Sequence, residues 1–232
     1  MSIMKKFFTI ILLVLIVACS QEKEQGNMVV QGQIKGLKKG TLYLQKMKDT
    51  VIVSVDSIVL FGNDTFKLTD NISSSEMYYL NLDGKNISFF GEEGIITIND
   101  QVDKFGFSAE ISGSKNQKIY EDYKKMISKF QGIQLDLLVA NLQAQKDKDI
   151  KKSDSLRNES ERQIRKKYIY TINFALNNPD SEAAAYIALT ELVNSNVKFL
   201  DSINNTLTDR VKNTLYGKKL ENFISEIKRT EN

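Results

Sequence analysis

Met77-Tyr78-Tyr79-Leu80-Asn81-Leu82-Asp83-Gly84-Lys85-Asn86-Ile87-Ser88-Phe89-Phe90 decides the first half of the fold. Two β-rich runs flank Asp83-Gly84, a dipeptide suited to the left-handed positions of a tight hairpin turn. Successive strand residues point to opposite faces, so Tyr78-Tyr79 and Phe89-Phe90 each place one ring on either side of a sheet. One ring of each pair is expected to fill a core. The other is expected at a surface, where it can stack on a sugar or dock a partner. Tyr78, Tyr79, Phe89 and Phe90 are therefore the candidate ligand- or partner-binding residues.

Similar runs lie on both sides of this hairpin. Residues 28 to 34, 41 to 45, 51 to 60 and 66 to 68 precede it, and 95 to 98 and 105 to 111 follow. Turn residues around Gly36, Gly40 and Gly62 separate the earlier ones. The run from Val51 is long enough to bend or bulge at Asp56-Ser57, or to fold that acid onto its own backbone. About eight short strands at this spacing predict an antiparallel β-sandwich or barrel-like domain over residues 28–114.

From Lys115 the apolar period changes from two to about 3.6 residues. Ile119, Tyr123, Met126, Phe130, Ile133 and Leu137 share one helical face. Residues 146 to 155 are almost wholly polar and read either as a loop or as a solvated stretch of one long helix. Leu156, Ile164, Tyr168, Ile172 and Ala175 continue the pattern. Asn177-Asn178-Pro179 ends it, with Asn178 expected to cap the next helix and Pro179 to open it. That helix should turn Tyr186, Leu189 and Val193 inward. Residues 115–232 are thus expected to form an all-α domain of four or five helices, and the chain to be α+β.

Composition narrows the chemistry. The 232 residues include no histidine, no tryptophan, one proline and one cysteine, Cys19. The commonest general base and metal ligand is missing, and neither an intramolecular disulfide nor a dithiol redox pair can form. Glu92-Glu93 are neighbours on a strand and diverge, so they read as turn charges. Asp49, Asp56, Asp64 and Asp70 are scattered and do not make an oxygen-ligand loop. No catalytic residue, metal ligand or cofactor is expected, and the chain is read as non-catalytic. The 32 basic residues barely exceed the 29 acidic ones, and Lys5 and Lys6 belong to a segment expected to be removed. A nearly neutral mature chain gives no electrostatic reason to bind nucleic acid.

Lys5-Lys6, an apolar run from Phe7 to Ala18 and small residues before Cys19 have the layout of a secretory signal. The run is about 12 residues, against the roughly 20 needed to span a bilayer. Ile16-Val17-Ala18-Cys19 resembles a bacterial lipoprotein lipobox. The resemblance implies a signal peptide over residues 1–18, cleavage before Cys19, and acyl chains on that cysteine that hold the protein to a membrane. Residues 19–27 then form a lipidated tether. Its Glu22 and Glu24 resemble the acidic export signals of Bacteroidota surface lipoproteins, which implies an outer-membrane, cell-surface location.

The β-rich half carries a second resemblance. Gly32-Gln33-Ile34, Leu42-Tyr43-Leu44, Val55-Asp56-Ser57, Tyr79-Leu80, Phe89-Phe90-Gly91-Glu92 and Ile111-Ser112-Gly113-Ser114 before Asn116 resemble a domain of unknown function. That domain stands at the N-terminus of Bacteroidota lipoproteins, often ahead of a thioredoxin-like module. Asn178-Pro179-Asp180-Ser181 and Tyr216-Gly217 look like the helical segment that follows it. The thioredoxin-like module is expected to be lacking here. The resemblance implies a fold and no chemistry. The functional expectation is a non-catalytic outer-membrane lipoprotein, an accessory subunit of a surface nutrient-import complex. The alternative is a free-standing peptide- or glycan-binding lipoprotein.

Overall fold

The computed structural model of the protein describes residues 26–231. Cys19, the signal segment and most of the tether lie outside them. Asp83 and Gly84 take φ values of 49° and 81°, and Leu82 pairs directly with Lys85 across the turn. The hairpin is therefore the two-residue primed type, whose twist matches that of its strands.

The hairpin strands are β5 (Glu76–Leu82) and β6 (Lys85–Gly91). Before them run β1 (Met28–Lys35), β2 (Lys39–Lys48), β3 (Val51–Phe61) and β4 (Thr65–Asp70). After them come β7 (Gly94–Gln101) and β8 (Glu110–Ser112). They form two four-stranded sheets, ordered β4-β1-β7-β8 and β3-β2-β5-β6. The inner faces share one core that includes Met28, Ile34, Leu42, Leu44, Tyr78 and Phe89. Alternate residues of each strand enter it, as the period-two pattern requires.

Three details differ from expectation. The β1–β7 pairing is parallel, while the other strand pairs are antiparallel. The bulge in β3 falls at Val55, since Leu44 faces Asp56 and Gln45 faces Ser54. Asp56 still serves the backbone: it accepts from Ser57 N at 2.7 Å and from Thr69 N at 2.9 Å, tying one sheet to the other. Only the end of the 105–111 run is strand, in β8; from Phe105 to Ala109 the chain is a loop. A 3₁₀ turn at Val102–Lys104 drops Phe105 into the core and leaves Phe107 93% exposed. Asp100 holds this loop by accepting from Gly106 N and Ser108 Oγ at 2.7 and 2.6 Å.

Asn27, assigned by sequence to the tether, is pinned. Its side chain exchanges two 2.8 Å hydrogen bonds with the backbone of Ile72. Lys46 lies 2.9 Å from Asp70 and 3.1 Å from Glu76, and Tyr78 Oη donates to Asp70 at 2.6 Å. This half-buried knot closes the same side of the sandwich.

Six helices follow, as α1 (Lys115–Lys146), α2 (Ile150–Leu176), α3 (Glu182–Glu191), α4 (Val197–Thr206), α5 (Asp209–Lys212) and α6 (Leu215–Glu231). Ser114 caps α1, accepting from Gln117 N at 2.9 Å. The polar stretch around 150 is neither a long loop nor continuous helix. Asp147-Lys148-Asp149 make a tight turn with Lys148 at φ 57°, and Asp149 caps α2. Ser181, rather than Asn178, caps α3. The Asn178 side chain instead donates to Phe174 O at 2.8 Å and closes the end of α2. Leu192 is buried where Val193 was expected, because α3 stops at Glu191. Ile133 and Ile164 are also exposed, at positions where α1 and α2 have left the globular part.

Candidate functional site at the β/α junction

The helical unit packs on the outer face of β5 and β6. Met77 and Phe90 point there and join a core of Ala184, Ala188, Leu200, Leu220 and other helical residues. Phe90 is 0% exposed. Its ring meets the edges of Tyr120, Tyr186 and Tyr216, with centroids 5.4, 5.4 and 6.2 Å away. Two buried hydrogen bonds fix the contact: Gln117 Oε1 accepts from Phe90 N at 2.9 Å, and Tyr216 Oη accepts from Met77 N at 2.8 Å. Burial pushes the Tyr120, Tyr186 and Tyr216 phenols above their ordinary range.

The four aromatic candidates do not form an open surface. Tyr78 and Phe89 are buried in the sandwich core with ring centroids 5.9 Å apart. Phe90 is buried under the helices, and Tyr79 is half-buried against the same cluster. The face expected to meet a ligand meets this chain's own helices, because half of an antiparallel sheet's outer face was left to cover.

Beside this aromatic contact lies a polar cluster. Glu92 follows β6 and accepts from both Asn116 N and Asn116 Nδ2 at 3.1 Å. The same Nδ2 donates to Glu182 Oε2 at 2.9 Å. Asn116 Oδ1 accepts from Ser181 Oγ at 2.5 Å and Ala183 N at 3.0 Å. Arg210 Nη1 donates to Glu182 Oε1 at 2.6 Å, and its Nε donates to Asp180 at 3.1 Å. Glu182 raises the Arg210 pKa, and Arg210 with Thr208 holds the Asp180 carboxyl below the usual range. Both carboxylates that flank Asn116 also stand at helix N-termini, where the dipoles favour negative charge.

This cluster forms the wall between two clefts of about 430 and 500 Å³. Glu92, Glu182 and Arg210 line both. Ser73, Ser74 and Glu93 complete the first, and Lys115, Asn177 and Pro179 help complete the second. The clefts are polar, with both signs of charge. Their central groups are already engaged with one another, which suits holding two units together and leaves a rim for a polar ligand. Among the described residues, no group of three or more acidic residues is arranged to hold a metal ion.

Glu92 is thus more than a turn charge. The sequence does place it, Asn116 and Asp180-Ser181 inside the stretches that carry the family resemblance. Nothing in their spacing joins them, since Asn116 and Glu182 are 66 residues apart.

Residues 28–120 form a DUF4369 domain, a domain of unknown function. The DUF4369 match runs past β8 to Tyr120, and so includes Asn116, Gln117 and Tyr120, which dock α1 on β6. No curated protein and no solved structure matches the chain. Among the described residues, no helix is long and apolar enough to cross a membrane.

Proposed function

We propose that the protein is a non-catalytic lipoprotein, held to the outer membrane through acyl chains on Cys19. It faces the cell surface and acts as an accessory subunit of a nutrient-import complex. The reading of Cys19 comes from the lipobox resemblance. On the structural side, one observation supports a docking role over a chemical one. The carboxylates at the junction, Glu92 and Glu182, are bonded to Asn116 and Arg210 and make a joint between two units. A rigid two-unit body on a tether is suited to bridging other envelope components.

Affinity purification of the intact chain from its native membrane, after crosslinking and mild detergent extraction, tests this. An outer-membrane barrel and a binding lipoprotein should co-purify in fixed ratio. Recovery of the chain alone contradicts the accessory role.

The polar clefts favour a second reading, a free-standing binder of peptides or glycans. Calorimetry with short peptides and oligosaccharides tests it, and Glu93→Ala with Lys115→Ala should weaken any heat observed. No heat with either class removes this reading.

A further inference from the structure

Helices α1 and α2 run together beyond the globular part as a two-helix hairpin. Its seam there mixes polar pairs with part-buried Leu137 and Leu156 and buried Ala144. Gln134 Nε2 donates to Ser160 O at 2.9 Å, Ser160 Oγ donates back to Gln134 Oε1 at 2.7 Å, and Ser153 Oγ donates to Asn141 Oδ1 at 2.7 Å. The leucines are on the outside. Leu135, Leu138 and Leu142 recur at spacings of three and four, the spacing of a coiled-coil seam, with no partner among the described residues. Ile150 and Ile164 are exposed on the antiparallel helix beside them. These five side chains are between 54% and 74% exposed. Besides the residues in the seam, the hairpin thus turns a second apolar stripe to water, where an amphipathic helix pair is ordinarily polar.

We infer that this hairpin face pairs with the same face of a second copy of the chain, giving an antiparallel four-helix bundle. Three observations select that occupant. First, knob and hole lie on one face. Leu135 and Leu138 border a groove of about 430 Å³ lined also by Leu137, Asn141, Leu156 and Ser160. A two-fold axis lets each copy's leucines enter the other's groove, as an isologous interface requires. Second, the area suffices. At roughly 100 Å² for each exposed side chain, the five offer about 500 Å² of apolar surface. A standard interface buries about 800 Å² per partner, of which about 65% is apolar in homodimers. Third, the charge beside the groove is neutralised within the chain, since Arg157 pairs with Asp154 at 2.8 Å.

Sedimentation equilibrium of the full chain in density-matched detergent tests the inference. The expected mass is that of a dimer. Combined Leu135→Ser, Leu138→Ser and Leu142→Ser should weaken association by roughly 100-fold or more, with helical circular dichroism unchanged because these side chains are already exposed. Phe61→Ser, on the exposed sheet face, should leave the dimer intact. A monomeric wild type, or a dimer that survives the triple substitution or dissociates with Phe61→Ser, overturns the inference. If the triple variant does not fold, a spin label on Gln145→Cys, an exposed position three residues after Leu142, decides instead. Dipolar coupling between copies supports the pairing, and its absence overturns it. A monomer that still co-purifies with an import complex overturns this inference while leaving the accessory role standing.

Discussion

The Asn116 side-chain nitrogen donates to Glu182 Oε2 at 2.9 Å, across 66 residues of sequence. It donates at the same time to Glu92 Oε1, so one buried amide joins β6, α1 and α3. With the Phe90 ring cluster and the Met77–Tyr216 hydrogen bond, this amide fixes the helical unit to the sandwich.

Asn116→Ala should therefore destabilise the protein by about 3 kcal/mol. It removes the donor shared by two carboxylates and leaves Ser181 Oγ and Ala183 N without their common acceptor. Urea denaturation followed by circular dichroism measures this. A loss under about 1 kcal/mol would mean that Arg210 and the caps hold the joint without Asn116.

Phe90→Ala should cost about 3 to 5 kcal/mol, because the ring fills a site enclosed by Tyr120, Tyr186 and Tyr216. The loss falls at the contact between units. Hydrogen exchange should show faster opening in α3 and α6 than in the β1–β7 ladder. Uniform acceleration across both units would contradict that assignment.

Gly113→Ala should be among the most damaging changes to a small residue. Gly113 has φ 99°, and an added Cβ would stand 2.1 Å from Ile95 O, a backbone atom. Strain and clash act together at the link from β8 into α1. Thermal melting should show a drop of many degrees, or no folded protein at all. A drop of only a degree or two would contradict this geometry.

Stability should fall in the alkaline range. Burial raises the folded-state pKa of Tyr78, Tyr123 and Tyr216 above the ordinary 10.0. For Lys46, burial works downward, but hydrogen bonds to Asp70 and Glu76 win and raise it from 10.5. Groups with raised folded pKa values contribute fully below their unfolded pKa and lose that contribution as pH rises through the folded one. Each of the three buried phenols should then cost about 1.4 kcal/mol per pH unit once the unfolded chain ionises. The urea midpoint should hold between about pH 6 and 9, as no histidine titrates, and fall steeply above about pH 10. Phenolate absorbance that appears before unfolding would contradict the burial.

The strands, the Asp83-Gly84 turn and the start of helix at Lys115 were legible because each rests on local pattern: period two, a turn dipeptide, then period 3.6. The parallel β1–β7 pairing was not, since alternation fixes which face is buried and says nothing of which strand lies alongside. Phe105-Gly106-Phe107 imitated a strand with two apolar residues in register, yet only Phe105 is buried. The aromatic pairs are two-faced, as strand alternation requires, but the helices that cover Phe90 and Tyr79 come from distant sequence, with Tyr120, Tyr186 and Tyr216 among the covering residues. The Glu92–Asn116–Glu182–Arg210 joint has no local signature at all, because its members meet only once both units have folded.

Intact-mass measurement of the chain purified from its native envelope tests the central claim, a membrane-anchored docking protein, most directly. The account predicts a polypeptide that begins at Cys19 and carries the added mass of acyl chains on that residue. A chain that retains residues 1–18, or one with an unmodified Cys19, would contradict it.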